Sequence, residues 1–361
     1  MRANRGKEKS KAKGTKIFII VLVLLIVIAG ILFAVKLIKD KQEAEPTNSE
    51  QLQENQMGQE EVKKPKTFEG NTRPIAVMID NHINAMPQAG LLEADLVYEI
   101  IVEGGETRMM LVLKDKDVSK VGPIRSSRHY FLDYALENDA IYVHYGWSPK
   151  AKSDITSLGV NNINGIFESS SSFWRVSDKY APHNAVTSTK NILSIANRKG
   201  YRTTTTKDPV LSYVADEVNL ENGTTADTVT IPYSDYNTVK YTYDAQTQLY
   251  TRYSRGKKQT DWASGKTITT KNIIIEKAKN TKLNDGTSKD RQTLDNVKTL
   301  DGYYVTNGKS IPIKCEKSSR SSQTVYKDLE GNEINVNDGK TFIQICPLNA
   351  NVKFTSNETT K

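Results

Sequence analysis

The stretch "RPIAVMIDNHINAMPQAGLLEADLVYEIIVEGGETRMMLVLK", Arg73 to Lys114, holds three apolar runs within 42 residues. "RPIAVMID" (Arg73–Asp80) reads as a strand that ends in the polar loop "NHINAMPQAG". "LLEAD" is a helical turn leading into "LVYEIIV" (Leu96–Val102), a second strand. "EGGE" turns the chain, and "TRMMLVLK" (Thr107–Lys114) follows as a third. Each run has strand rather than helix length and is bounded by turn residues. Gly104-Gly105 fits an ordinary hairpin here better than a ligand loop, although glycine also permits close backbone approach.

Downstream, "VGPIRSSRHYFLDYAL" (Val121–Leu136) is expected to be a helix, with Gly122 ending what precedes and Pro123 suiting the first turn. "AIYVHYG" (Ala140–Gly146) is a strand, "SPKAKSDITSLG" a helix, and Thr189 to Arg198 a last helix. Strands alternating with helices indicate a mixed α/β layer over residues 73–205, with a mixed sheet. Residues 208–354 change character. "DTVTIPY", "VKYTYD", "QLYTRYS", "TITTKNIIIEKA", "GYYVTNGKSIPIK" and "KTFIQICPL" are β-branched or aromatic runs separated by turn signals, which predicts a mostly β domain packed against the first. Residues 355–361 are a polar tail.

Upstream, residues 36–72 are polar almost throughout and read as a disordered linker. "IFIIVLVLLIVIAGILFAV" (Ile17–Val35) is nineteen apolar or small residues without interruption. At 1.5 Å per residue it spans about 28 Å, the thickness of a hydrocarbon core. Residues 1–16 carry seven Lys/Arg against Glu8 alone, a net +6 of the formal +8. The remainder is nearly neutral, so nucleic acid is not an expected partner. A basic flank before a terminal apolar run predicts one transmembrane helix, an uncleaved signal-anchor with a cytoplasmic N-terminus and an extracellular ectodomain. The membrane is then a partner through that helix. Cys315 and Cys346 are disulfide candidates in such an oxidising setting, the alternative being two buried thiols.

All four histidines, His82, His129, His144 and His183, lie in the first domain, so acid-base chemistry is sought between residues 73 and 200. The unusual polar residues sit at strand ends, where open α/β sheets present ligand sites. Asp80 follows the first strand, Glu103, Glu106 and Arg108 surround the Gly-Gly turn, and Asn184 follows His183. The catalytic candidates are His144 and His183 with Glu103 or Asp80. The ligand-binding candidates are Arg108, Arg125, Arg128, His129 and Asn184. Arg125, Arg128 and His129 would sit in a helix's opening turn, against its dipole, which requires a negative partner. That partner is either a ligand anion or one of Glu103, Glu106 and Asp80. Of the two arginines, Arg125 is expected to be structural and Arg128 free to meet a ligand. Asp80-x-His82 with a third histidine would be a weak metal set, and no HExxH or clustered Cys/His motif appears, so neither metal nor cofactor is expected. Ser126, Ser127 and Ser169–Ser172 lack a G-x-S-x-G context.

The segments "RPIAVMIDNHINAMPQAGLLEADLVYEIIVEGGETR", "VGPIRSSRHYFLDYA", "DAIYVHYGWSP", "KYAPHNAVTS", "YTRYSRGKKQTDWASGKTITTKNIII" and "DLEGNEINVNDGKTFIQICP" resemble the YerB-like lipoprotein family of Gram-positive bacteria. The resemblance covers nearly all of residues 73–350. It implies an α/β N-terminal domain, a β-rich C-terminal domain and an extracytoplasmic location, and it carries no established activity. This chain has no Cys at the end of its apolar run, where a lipid would be attached; a spanning helix would replace it. The functional expectation is an anchored protein that binds an anionic envelope polymer or an envelope protein. The alternative is an envelope hydrolase or transferase using the His and carboxylate candidates.

Overall fold

The computed structural model describes residues 29–32, 34, 36 and 63–356. The tail 1–16, most of the apolar run Ile17–Val35 and nearly all of the linker to Val62 lie outside the described residues. Those of the run that are described are helical. Among the described residues no helix is long and apolar enough to cross a membrane. Residues from 63 onward form one compact unit.

A twelve-stranded sheet organises that unit. Its N-terminal strands are β1 (Ile75–Asp80), β2 (Leu96–Ile101), β3 (Thr107–Leu113), β4 (Ile141–His144) and β5 (Asn162–Asn164). The C-terminal half supplies β6 (Thr228–Ser234), β7 (Asn237–Asp244) and β8 (Leu249–Ser254) to a separate six-stranded sheet. It then gives β9 (Asn272–Lys282), β10 (Gln292–Asp295), β11 (Thr299–Thr306), β12 (Lys309–Glu316), β13 (Val325–Lys327) and β14 (Thr341–Pro347) to the main sheet. The order is β13-β12-β11-β9-β14-β2-β3-β1-β4-β5, with β10 paired to β9 and the two-residue strand Thr224–Thr225 paired to β12. The N-terminal part is mixed α/β and the C-terminal part mostly β, as the sequence indicates. One sheet runs through both, because β14 pairs in parallel with β2 on one side and β9 on the other.

Why the first runs are apolar at every position follows from this. β1, β2 and β3 are buried on both faces. Ile75, Val77 and Ile79 join one core with the six-stranded sheet and helix α3 (Thr189–Arg198), whereas Ala76 and Met78 join a second core with α1 (Phe131–Glu137). Helix α2 (Pro149–Ser157) starts at Ser148, whose side chain accepts from the Ala151 N–H at 3.3 Å, with Pro149 at its first position.

One expectation is overturned, and of the two alternatives for the cysteines the structure has the buried thiols. The helix expected from Pro123 begins only at Phe131. Residues 121–127 are extended because neighbours take their backbone groups: Val121 N–H donates to Thr187 O (2.7 Å), Ile124 N–H to Ala185 O (2.7 Å), and Arg125 N–H to Met78 O (3.0 Å). Gly122 adopts φ 140°, and a Cβ there would stand 3.0 Å from Ala185 O. The cysteines do not pair: both are buried free thiols. Cys315 on β12 and Cys346 on β14 are three strand spacings apart, about 14 Å, beyond the reach of a disulfide. They also face opposite cores, since Cys346 is in register with Lys277, Asp301 and Lys314 rather than with Cys315.

The Gly-Gly turn is a hairpin, with β2 and β3 antiparallel around it. Its close approach is made by the C-terminal half: a Cβ on Gly105 would meet Ser234 at 2.8 Å, and the Gly104 and Gly105 carbonyls accept from Tyr236 and Ser234.

Candidate functional site

β1, β4 and β5 run parallel, so their carboxyl ends, Asp80, His144 and Asn164, lie along one edge. β3 runs the other way and starts at the same edge, which sets Arg108 opposite Asp80. The extended segment 121–127 crosses here and brings Arg125, Ser126 and Arg128.

Asp80 is buried and is the hub. Its Oδ1 accepts from the His82 N–H at 3.1 Å. Oδ2 lies 2.7 Å from His183 Nδ1 and 3.3 Å from Arg125 Nε. His82 and His183 stack at 4.5 Å. Of the catalytic candidates, therefore, the structure joins His183 to Asp80. With His183 Nδ1–H given to the carboxylate, Nε2 is the atom available to accept a proton.

Beside this hub, Glu103 gathers three guanidiniums. Arg128 Nε is 2.6 Å from Oε1, Arg108 is 3.9 Å from Oε2, and Arg291 from the C-terminal half is 3.8 Å from Oε1. Burial alone would raise the Glu103 pKa, but the Arg128 hydrogen bond and charge, with Arg108, hold it below the usual carboxylate value. Arg108 is buried, and its hydrogen bond goes to a neutral group, the Ser126 carbonyl. Burial first, then Arg128, pulls its pKa down to about 9 against the opposing pull of Glu103. Three guanidiniums (Arg108, Arg125, Arg128) thus face two carboxylates, while Arg291 is matched by Asp285.

The remaining candidates lie elsewhere or are fully used. His144 is completely buried, with Nδ1 2.8 Å from Gly146 O and Nε2 3.1 Å from Asn162 Oδ1, so neither ring nitrogen can serve a substrate. It meets neither Glu103 nor Asp80. His129 turns to Thr293 of β10 at 3.2 Å, and burial together with Lys150 pushes its pKa down to about 4. Asn184 braces its own loop, donating to Val176 O and Lys179 O and accepting from Arg175 at 2.6 Å. Glu106 pairs with Arg255. The anion site at a helix start disappears with the early helix. The expected division between the two arginines is inverted: Arg128 is buried against Glu103, and Arg125 keeps 24% of its side chain exposed.

Sequence reasoning missed Arg291. It sits in the turn-rich "NDGTSKDRQ", with no periodicity to single it out, and reaches Glu103 only because β10 folds back on β9.

The fold and this edge define a two-part protein, mixed α/β then mostly β, with a charged edge on the shared sheet, and comparison with known proteins supplies the family. Residues 60–202 match the family described as "Protein of unknown function (DUF3048) N-terminal domain", and residues 229–343 match its C-terminal domain. The chain belongs to this family. It is similar to the "Putative lipoprotein YerB" of Bacillus subtilis, 33% identical over 292 residues that cover 76% of this chain and 81% of that protein. The crystal structure of the Bacillus subtilis YerB protein superimposes with a TM-score of 0.70 at 32% identity, covering 78% of this chain and 94% of that one.

Proposed function

We propose that the chain is a single-pass, surface-tethered protein whose folded unit binds an anionic ligand at the carboxyl edge of the main sheet. The anchor rests on Ile17–Val35 and its basic flank, which support a folded unit outside the cell. The relative described as a lipoprotein is consistent with membrane attachment. The observation that carries the ligand is Arg108: a buried guanidinium hydrogen-bonded only to a backbone carbonyl, flanked by Arg125 and Arg128, in a cluster with one positive charge more than its carboxylates balance. Such a guanidinium pairs with an entering carboxylate or phosphate. Envelope polymers supply both. Neither nucleic acid nor a resident cofactor is part of this reading.

The test is a binding titration of the purified protein with phosphate-bearing wall polymer and with the same wall stripped of it. Arg108→Gln should weaken binding to the charged polymer, and added salt should weaken it further. Equal binding by wild type and Arg108→Gln overturns the reading.

A second reading rests on the 2.7 Å His183–Asp80 contact, the arrangement of a general base with its orienting carboxylate. It makes the edge hydrolytic. Product analysis after incubation with wall fragments separates the two: soluble products lost in His183→Gln support hydrolysis, and intact polymer retained by the protein supports binding.

A further inference from the structure

A cavity of about 230 Å³ lies between α2, β5 and the segment that follows β5, apart from the Arg108 cluster. Trp147, Phe167 and Tyr201 supply aromatic walls, and Asn162, Asn164 and Glu168 supply polar atoms. The Trp147 and Phe167 rings stand 5.7 Å apart at 45°, and Phe167 is 72% exposed. Phe167 stands in solvent beside Ile166, itself 52% exposed, so its outer face is open to a ligand.

Asn164 provides an independent observation. It is 95% buried, and its Oδ1 accepts from Gly146 N–H at 2.9 Å and Ile166 N–H at 3.2 Å, which fixes the orientation of the amide. Its Nδ2 is buried without a hydrogen-bond partner. A native fold seldom leaves a buried donor unpaired unless something else completes it. Glu168 is held by Arg198 and lies 3.9 Å from Lys199, which fixes a carboxylate acceptor at the same cavity.

We propose that this cavity is a subsite for one hexopyranose ring. Its volume is below that of pockets for drug-sized ligands and suits a single ring. Walls tilted by 45° cannot sandwich a flat heterocycle. A puckered sugar lays its C–H face on one aromatic ring and an edge on the other. Its hydroxyls are at once acceptors for Asn164 Nδ2 and donors to Glu168, a pairing that a purely apolar or purely anionic ligand does not meet.

Isothermal titration of the full chain with cellotriose and chitotriose tests this, with adenosine as the flat-ring control. At least one sugar should bind saturably and weakly, in about the millimolar range. Phe167→Ala, an exposed position where folding is not at stake, should weaken that binding about tenfold. Arg108→Gln should leave it unchanged, so the result stands apart from the anion-site reading. Absence of saturable binding by both sugars, full affinity in Phe167→Ala, or tighter binding of adenosine would each overturn the proposal.

Discussion

Two charged regions of this fold invite comparison. Between the main and six-stranded sheets, Glu99 of β2 and Arg252 of β8 form an ion pair with both side chains fully buried. Every neighbour completes it: Asn81 and Thr107 donate to Glu99 at 2.9 and 2.8 Å, Gln259 accepts from Arg252, and Gln88 links Asn81 to Gln259. One register position further along and two strands across, the Asp80–Glu103 edge has similar residue types but is partly exposed and unevenly paired. The first region joins the two halves of the chain. The second has charge to spare, and that imbalance marks it as a place where a ligand could enter.

The comparison breaks most easily at its buried end. Arg252→Met should leave the Glu99 carboxyl without its charge partner in a water-free joint, costing about 3–5 kcal/mol. A urea melt reads this directly, and a cost under about 1 kcal/mol would mean that the pair is not what holds the halves together.

A smaller effect is expected at Glu276 of β9. It is fully buried and accepts from Tyr326 at 2.8 Å and Tyr134 at 3.1 Å, and burial with the nearby Glu137 charge raises its pKa to about 7. A raised folded pKa means that the native state holds the proton longer than the unfolded chain. Native stability therefore falls as pH rises from about 4.5 through 7, and is not penalised below that window. Relative to wild type, Glu276→Gln should gain about 3 kcal/mol between pH 4.5 and 8. Paired melts at the two pH values check it, and a difference independent of pH would show that burial does not move Glu276 from its unfolded value.

How much of this was legible in the sequence depends on the range of the interaction. β1, β2 and β3 were readable because burial on both faces writes an uninterrupted apolar run. The placement of β14 between β2 and β9 was not, since nothing local to "KTFIQICPL" names partners 245 residues away (Leu96 with Thr341) and 69 residues away (Asn272 with Thr341). The segment 121–127 failed for the opposite reason. Its local signals, Gly122-Pro123 and good helix formers, were real, but backbone pairing with Met78, Ala185 and Thr187 outweighed them. At the site, the residue types and strand ends were legible, and the pairings only as alternatives among several. His183 with Asp80 and Arg128 with Glu103 are contacts across 103 and 25 residues.

The finest division lies within the edge itself, between Arg128 and Arg125. Arg128 Nε sits 2.6 Å from a carboxylate that keeps 21% exposure, and its own side chain keeps 10%. Removing its charge strands Glu103 beside Arg108 and Arg291, which compensate only from 3.9 and 3.8 Å. Arg128→Gln should therefore cost about 2 kcal/mol, between the exposed and buried limits for such pairs. Arg125 is more exposed, its Nε is 3.3 Å from Asp80, and Asp80 keeps His183 when the arginine is gone. Arg125→Gln should cost less than about 1 kcal/mol. If the edge binds an anion, the order reverses in a binding assay, because Arg128 is taken by Glu103 at 2.6 Å whereas Arg125, 3.3 Å from Asp80, can turn to the ligand. Measuring melts and wall-polymer affinity on the same two variants therefore yields opposite rankings. Identical rankings in both would mean that the edge is bracing like the Glu99–Arg252 joint, and the distinction between the two regions would vanish.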